Sequence, residues 1–204
     1  YNRLSNQHYT FSMKFTLYKP NAKNTGAAFT FDCTKDRKGK PVLFVSMILQ
    51  HSWNNERKTG SFKENAKNPE KSTTIKLTEI EAGEFLSSFK TRIPFVGFHK
   101  TEEKTTVIKL TPWDKNRIIK GKDSQETFKA PAWGLTITKN SAQYFKLPIE
   151  PGESECLSVL LDHYIKEGLT AQAEAYKQDQ PKKTYNKSEP KQSVVEDEDD
   201  DVPF

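Results

Sequence analysis

Few residues in this sequence have the types and spacing that catalysis requires. The four histidines, His8, His51, His99 and His163, are scattered and have no Cys or carboxylate partners at metal-ligand spacing. Cys33 and Cys156 are too few for a disulfide framework and also lack neighbouring ligands. No Gly-rich phosphate loop occurs, and no Ser stands in a nucleophile elbow. The sequence therefore predicts a binding protein rather than an enzyme, with no metal and no cofactor.

Basic residues interleaved with aromatics are the positive signal. A single strand of nucleic acid needs cations along its phosphates and flat side chains for its unstacked bases, each stack contributing ~1–3 kcal/mol. Three segments meet that need. The first is Lys14, Tyr18, Lys19 and Lys23; the second is Trp53, Arg57, Lys58, Phe62 and Lys63. The third is Trp113, Lys115, Arg117, Lys120 and Lys122, followed by Phe128 and Trp133. It reads as a loop of about twenty residues, a length that inside a compact domain usually signals function. The plainer reading of each segment is a solvated basic face whose aromatics anchor in the core.

Charge separates along the chain. Its 204 residues carry 32 Lys and Arg against 27 Asp and Glu, a net +5. Glu196, Asp197, Glu198, Asp199, Asp200 and Asp201 crowd the terminus with no base among them; without them the balance is 32 against 21, a net +11. A basic body with an acidic end fits a polyanion-binding surface and a separate charged tail. No apolar run approaches the ~18 residues of a membrane span. Tyr1 to Thr10 is polar and does not read as a secretory leader. A reducing, cytoplasmic setting is expected, that of a bacterial host if the protein is phage-encoded.

The elements that must position these residues follow from periodicity. Phe11–Tyr18, Gly26–Cys33 and Val42–Leu49 alternate or run apolar as strands, and Thr73–Leu77 returns to that pattern. Thr78 and Glu81 have capping-box spacing, and Ala82, Phe85, Leu86 and Phe89 predict a helix over 79–90. Strands are expected again at Phe95–His99, Thr105–Thr111, Trp133–Thr138 and Ala142–Leu147. Pro151-Gly152-Glu153 then opens a helix along Leu157, Leu160, Leu161 and Tyr164, extendable through 169–176. Lys76-Leu77, Ile80-Glu81-Ala82-Gly83-Glu84 and Leu86-Ser87 recur about seventy residues on as Lys146-Leu147, Ile149-Glu150-Pro151-Gly152-Glu153 and Leu157-Ser158. Two halves, each of several strands closed by one helix, predict an α+β plan of antiparallel sheets packed with helices. Residues 1–176 form the binding domain, and 177–204, poor in hydrophobes, form a disordered linker and tail.

The tail ends Asp199-Asp200-Asp201-Val202-Pro203-Phe204. A terminal ring can enter an apolar pocket while the carboxylates meet a basic rim, and Pro203 lowers the ordering entropy of the docked peptide. These residues resemble the C-terminal tip of bacterial single-stranded-DNA-binding proteins, which implies that they recruit replication and repair partners. Residues 11–168 resemble the Whirly and positive-cofactor-four-like group. The likeness lies in Lys23-Asn24-Thr25-Gly26-Ala27-Ala28-Phe29-Thr30-Phe31-Asp32, with Thr25-Gly26 standing where the group has Gly-Lys, and in Glu56-Arg57-Lys58 and Lys76 to Gly83. That resemblance implies two strand-rich halves, each ending in a helix, and single-stranded nucleic-acid binding as a homo-oligomer. The expected function is single-stranded DNA binding in replication or recombination, largely independent of sequence. The alternatives are an RNA-binding or transcription-regulating protein of the same fold, an OB-fold single-stranded-DNA-binding protein, and an interaction scaffold whose tail is the active part.

Overall fold

Alternation of apolar and polar residues resolves into sheets in the computed structural model, which describes residues 12–102, 104–121 and 124–179. In chain order the elements are β1 (Met13–Lys19), β2 (Ala27–Lys35), β3 (Pro41–Leu49), a small hairpin of β4 (Ser52–Asn54) and β5 (Thr59–Ser61), β6 (Ser72–Leu77) and α1 (Glu79–Thr91). Then come β7 (Phe95–Lys100), β8 (Thr105–Lys120), β9 (Gln125–Lys139), β10 (Gln143–Ile149) and α2 (Pro151–Asp179). Two four-stranded antiparallel sheets result, ordered β1-β2-β3-β6 and β10-β9-β8-β7. The expected α+β plan of two strand-rich halves, each followed by a helix, is the one observed.

Register decides which face is apolar. Leu17, Phe29 and Met47 are cross-strand partners in the first sheet, as are Phe15, Phe31, Val45 and Ile75. In the second sheet Phe145, Ile137 and Ile108 align, as do Leu147, Leu135 and Leu110. These side chains, with Phe15 half-buried at the margin, and Leu157, Leu160, Leu161 and Tyr164 of α2 form one continuous cluster. Each large side chain so buried contributes ~1.5–3 kcal/mol, so the halves stabilise each other through a shared core. The Tyr164 hydroxyl donates to the Leu77 carbonyl at 3.0 Å, joining α2 to the last strand of the first half.

Burial also separates the two cysteines. Cys33 is buried, and desolvation, reinforced by the Glu167 and Asp32 carboxylates, pushes its thiol up to about 11. Cys156 is exposed. An alkylating reagent at mildly alkaline pH is therefore expected to label Cys156 quickly and Cys33 only on unfolding. Equal labelling rates in the native protein, read by mass spectrometry, would contradict this burial.

The two strand-to-helix junctions are built alike. Thr78 caps α1: its hydroxyl accepts from Glu81 N at 3.2 Å, and the Glu81 carboxylate accepts from Thr78 N at 2.9 Å. At α2, Glu153 reaches back to Glu150 N at 2.8 Å, and Pro151 takes the first helical position. The repeat is thus structural, but its residue matching shifts. Ile80 is 78% exposed whereas Ile149 is fully buried, and the capping role pairs Glu81 with Glu153. Helix α2 continues through Asp179, just beyond the expected domain end.

One expectation is overturned. The stretch between Thr111 and Trp133 is a hairpin arm, not a loop: β8 and β9 stay paired from Thr106↔Lys139 to Lys120↔Gln125. Pro112 and Pro131 lie inside this paired stretch, where a proline offers no N–H to the ladder. However, β7 pairs with β8 only as far as Leu110, and β10 with β9 only as far as Trp133. Beyond those points both outer edges are free, and a proline is tolerated where its nitrogen faces a free edge.

Candidate nucleic-acid interface

The alternation that buries Ile108, Leu110, Leu135 and Ile137 turns their neighbours outward. On the outer face of the second sheet, register aligns Lys146, Thr136, Lys109 and Val96 in one row. The adjacent row is Tyr144, Thr138, Val107 and Phe98, with Lys100 beyond Phe98 on the same edge strand. Phe98 is 68% exposed and Tyr144 53%. Neither row contains a carboxylate, and Lys100, Lys109 and Lys146 have no acidic partner among the described residues. Such a surface offers cations to phosphates and two flat rings to bases. Sequence reasoning missed these residues because it read β7, β8 and β10 for their core-facing positions. The outward half of the same alternation was the available signal.

Beside β10 the two halves meet around a cavity of about 530 Å³. The first half supplies its walls from Asn24–Gly26, Leu49–His51, Asn65 and Lys71, and β10 adds Tyr144 and Lys146. Gln50, 5% exposed, organises this wall. Its side-chain oxygen accepts from Asn21 N at 2.8 Å, and its amide nitrogen donates to Asn21 O, Asn24 Oδ1 and Ser52 O at 3.0–3.1 Å. The β1–β2 connection closes too tightly for a side chain at Gly26, where a Cβ would lie 2.3 Å from the Lys19 carbonyl oxygen.

The residues nominated from sequence fall into three groups. The first two segments come together: the Tyr18 and Phe62 rings lie 5.8 Å apart, with Lys63 beside them in sequence and exposed. Arg57 and Lys58 are exposed at the β4–β5 turn, and Lys23 sits in the turn that carries Asn24 to the cavity; Trp53 is half-buried. Trp113 is 41% exposed at the base of the arm, and Lys120 is exposed near its tip.

A second group carries charges already matched by carboxylates. Lys14 pairs with Asp32 at 2.9 Å. Lys19 pairs with Glu153 at 2.5 Å and lies 3.9 Å from Glu150. Lys115 hydrogen bonds to Glu150, and Arg117 lies 3.7 Å from it. That Lys115 hydrogen bond, with the charges of Lys115, Lys19 and Arg117, holds the Glu150 carboxyl below the usual carboxylate range against partial desolvation. Lys14 is held against β2, while Lys19, Lys115 and Arg117 fasten β1 and the arm to the start of α2, and these pairings lower their availability to phosphate.

Trp133 is a correction. It is 4% exposed, donates Nε1–H to the Ser88 carbonyl at 3.2 Å, and packs edge-on against Phe89 at 5.2 Å. The Arg92 guanidinium lies 5.9 Å from its ring centre. It is a core residue that no strand can reach. Lys122 and the tail residues Asp199, Asp200, Asp201, Val202, Pro203 and Phe204 lie outside the described residues. Among the described residues no group of His, Cys, Asp or Glu is placed to hold a metal, and no helix is long and apolar enough to cross a membrane.

No protein-family model and no curated protein matches the sequence. Among solved structures the fold is similar to WHY1 from Arabidopsis thaliana, a Whirly protein, at 16% identity and a TM-score of 0.49, covering 82% of this chain and 92% of that one. It is similar to WHY3 from the same plant at 15% identity and a TM-score of 0.46, covering 82% and 95%. A third similar structure is the plant transcriptional regulator PBF-2, at 12% identity and a TM-score of 0.48, covering 82% and 87%.

Proposed function

We propose that this protein binds single-stranded DNA during replication or recombination, by phosphate neutralisation and base stacking, without catalysing a reaction. The observation that carries the reading is the pair of carboxylate-free rows on the outer face of the second sheet, where Lys109 and Lys146 alternate with the exposed rings of Phe98 and Tyr144. Exposed rings find base faces only on unpaired nucleotides, because a duplex keeps its bases stacked inside. The basic-aromatic cluster of Tyr18, Phe62 and Lys63 extends the surface onto the first half. The acidic tail ending in Phe204 would recruit replication and recombination proteins, and the working site would be the cytoplasm.

Fluorescence titration of single and double strands across a salt series tests this. Tight binding of the single strand is expected, with log affinity falling by about 0.7 per phosphate neutralised for each tenfold rise in salt. A chain lacking residues 196–204 should keep this binding and lose capture of partner proteins. Equal affinity for duplex, or no dependence on salt, would reject the reading.

A further inference from the structure

We infer that the cavity between the two halves is a base-reading subsite that accepts one unstacked nucleobase of the bound strand. The inference rests on the proposed single-strand binding and deepens it, because it assigns base preference to a protein otherwise expected to ignore sequence. Continuity is the first argument. Tyr144 and Lys146 line the cavity and also end the two rows of the outer sheet face, so a strand lying on that face passes the cavity mouth. Its volume of about 530 Å³ falls within the range of small-molecule sites, ~300–1,000 Å³.

The chemistry of the lining is the second argument. No carboxylate lines the cavity; amides, an imidazole, a phenol and the ammonium groups of Lys71 and Lys146 do. Partner chemistry fixes the orientation of the amides. Asn65 Nδ2 donates to the Leu49 carbonyl at 3.0 Å, which leaves its Oδ1 as an open acceptor. Asn24 Oδ1 accepts from Gln50, which leaves its Nδ2 as an open donor. One open donor and one open acceptor suit the edge of a base, and the half-exposed Tyr144 ring offers a stacking face. The wall is also preorganised: Gln50 is hydrogen-bonded through both its amide atoms and nearly buried, and a Cβ at Gly26 or Gly60 would lie only 2.5 or 3.0 Å from its amide. A wall that need not reorder on binding loses less entropy and discriminates better.

The test measures binding of the full-length protein to matched homopolymers of dT, dC and dA at one salt concentration. The native chain is expected to spread their affinities by about tenfold, the size of one good base contact. Asn24→Gly with Tyr144→Ala should shrink that spread to about twofold or less. Gly suits the left-handed backbone at position 24, where φ is 56°. Lys146→Ala, a charge control, should weaken all three strands alike. Each single variant, checked by circular dichroism, guards against a double variant that fails to fold. Equal native affinities for the three strands, or a spread that survives in the folded variants, would overturn the subsite and leave single-strand binding standing. A native chain that binds none of the three would overturn both.

Discussion

A protein carrying Phe98→Ala and Lys109→Ala is expected to bind single-stranded DNA about thirtyfold more weakly than the native chain, at unchanged thermal stability. Phe98 is 68% exposed on edge strand β7, so its ring is free to stack on a base and its loss leaves the core intact. Removing one stacking ring costs ~1–3 kcal/mol, which is the larger part of the effect. Removing Lys109 should also reduce the salt slope by about 0.7, the signature of one lost phosphate contact. Lys14→Ala is the informative comparison. Lys14 is a candidate by sequence where Phe98 and Lys109 are not, yet Asp32 already compensates its charge at 2.9 Å, so its removal should change affinity little. If Lys14→Ala weakens binding and the Phe98/Lys109 variant does not, the strand lies on the first sheet instead.

The second large effect is on stability. Gln50→Leu keeps side-chain size but leaves Asn21 N, Asn21 O, Asn24 Oδ1 and Ser52 O without their bonds to residue 50. Stranded polar groups cost ~1–3 kcal/mol each where water cannot reach them, and some here are partly accessible, so a total of ~3 kcal/mol is expected. For a domain of this size that lowers Tm by roughly 6–12 °C in calorimetry or a circular-dichroism melt. Because Gln50 also holds the Asn24 turn, the same variant should lose base discrimination at the cavity. A fall of less than about 2 °C would mean that water re-pairs these groups and that the network does not set stability.

The local elements were readable because their signals are short-range. The Thr78–Glu81 capping box lies within four residues, and the alternation from Phe15 to Leu17 or Phe29 to Cys33 repeats every second residue. The β8–β9 arm reads as a loop because the described residues of 114–129 are mostly exposed and show no apolar alternation, and Pro112 and Pro131 fit within it only because its outer edges are free. Whether an edge is free depends on where β7 and β10 stop, a matter of tertiary pairing. Phe98, Lys109, Tyr144 and Lys146 were legible in principle, as the outward partners of core residues, but nothing local ranked them above other exposed side chains.

The sequence by itself determined the two-half α+β plan, the helix starts, the scarcity of catalytic groupings and the separation of a basic body from an acidic end. These depend on periodicity, capping and composition, which act within a few residues or over the whole chain. Only the tertiary structure decided which basic residues remain free. Glu150 meets Lys19 from 131 positions away and Lys115 from 35, and no local pattern records that compensation. It also decided that Trp133 belongs to the core, and that Asn24, Asn65 and Tyr144 surround one cavity. Charge pairing and burial depend on distance in space, and the fold alone sets that distance.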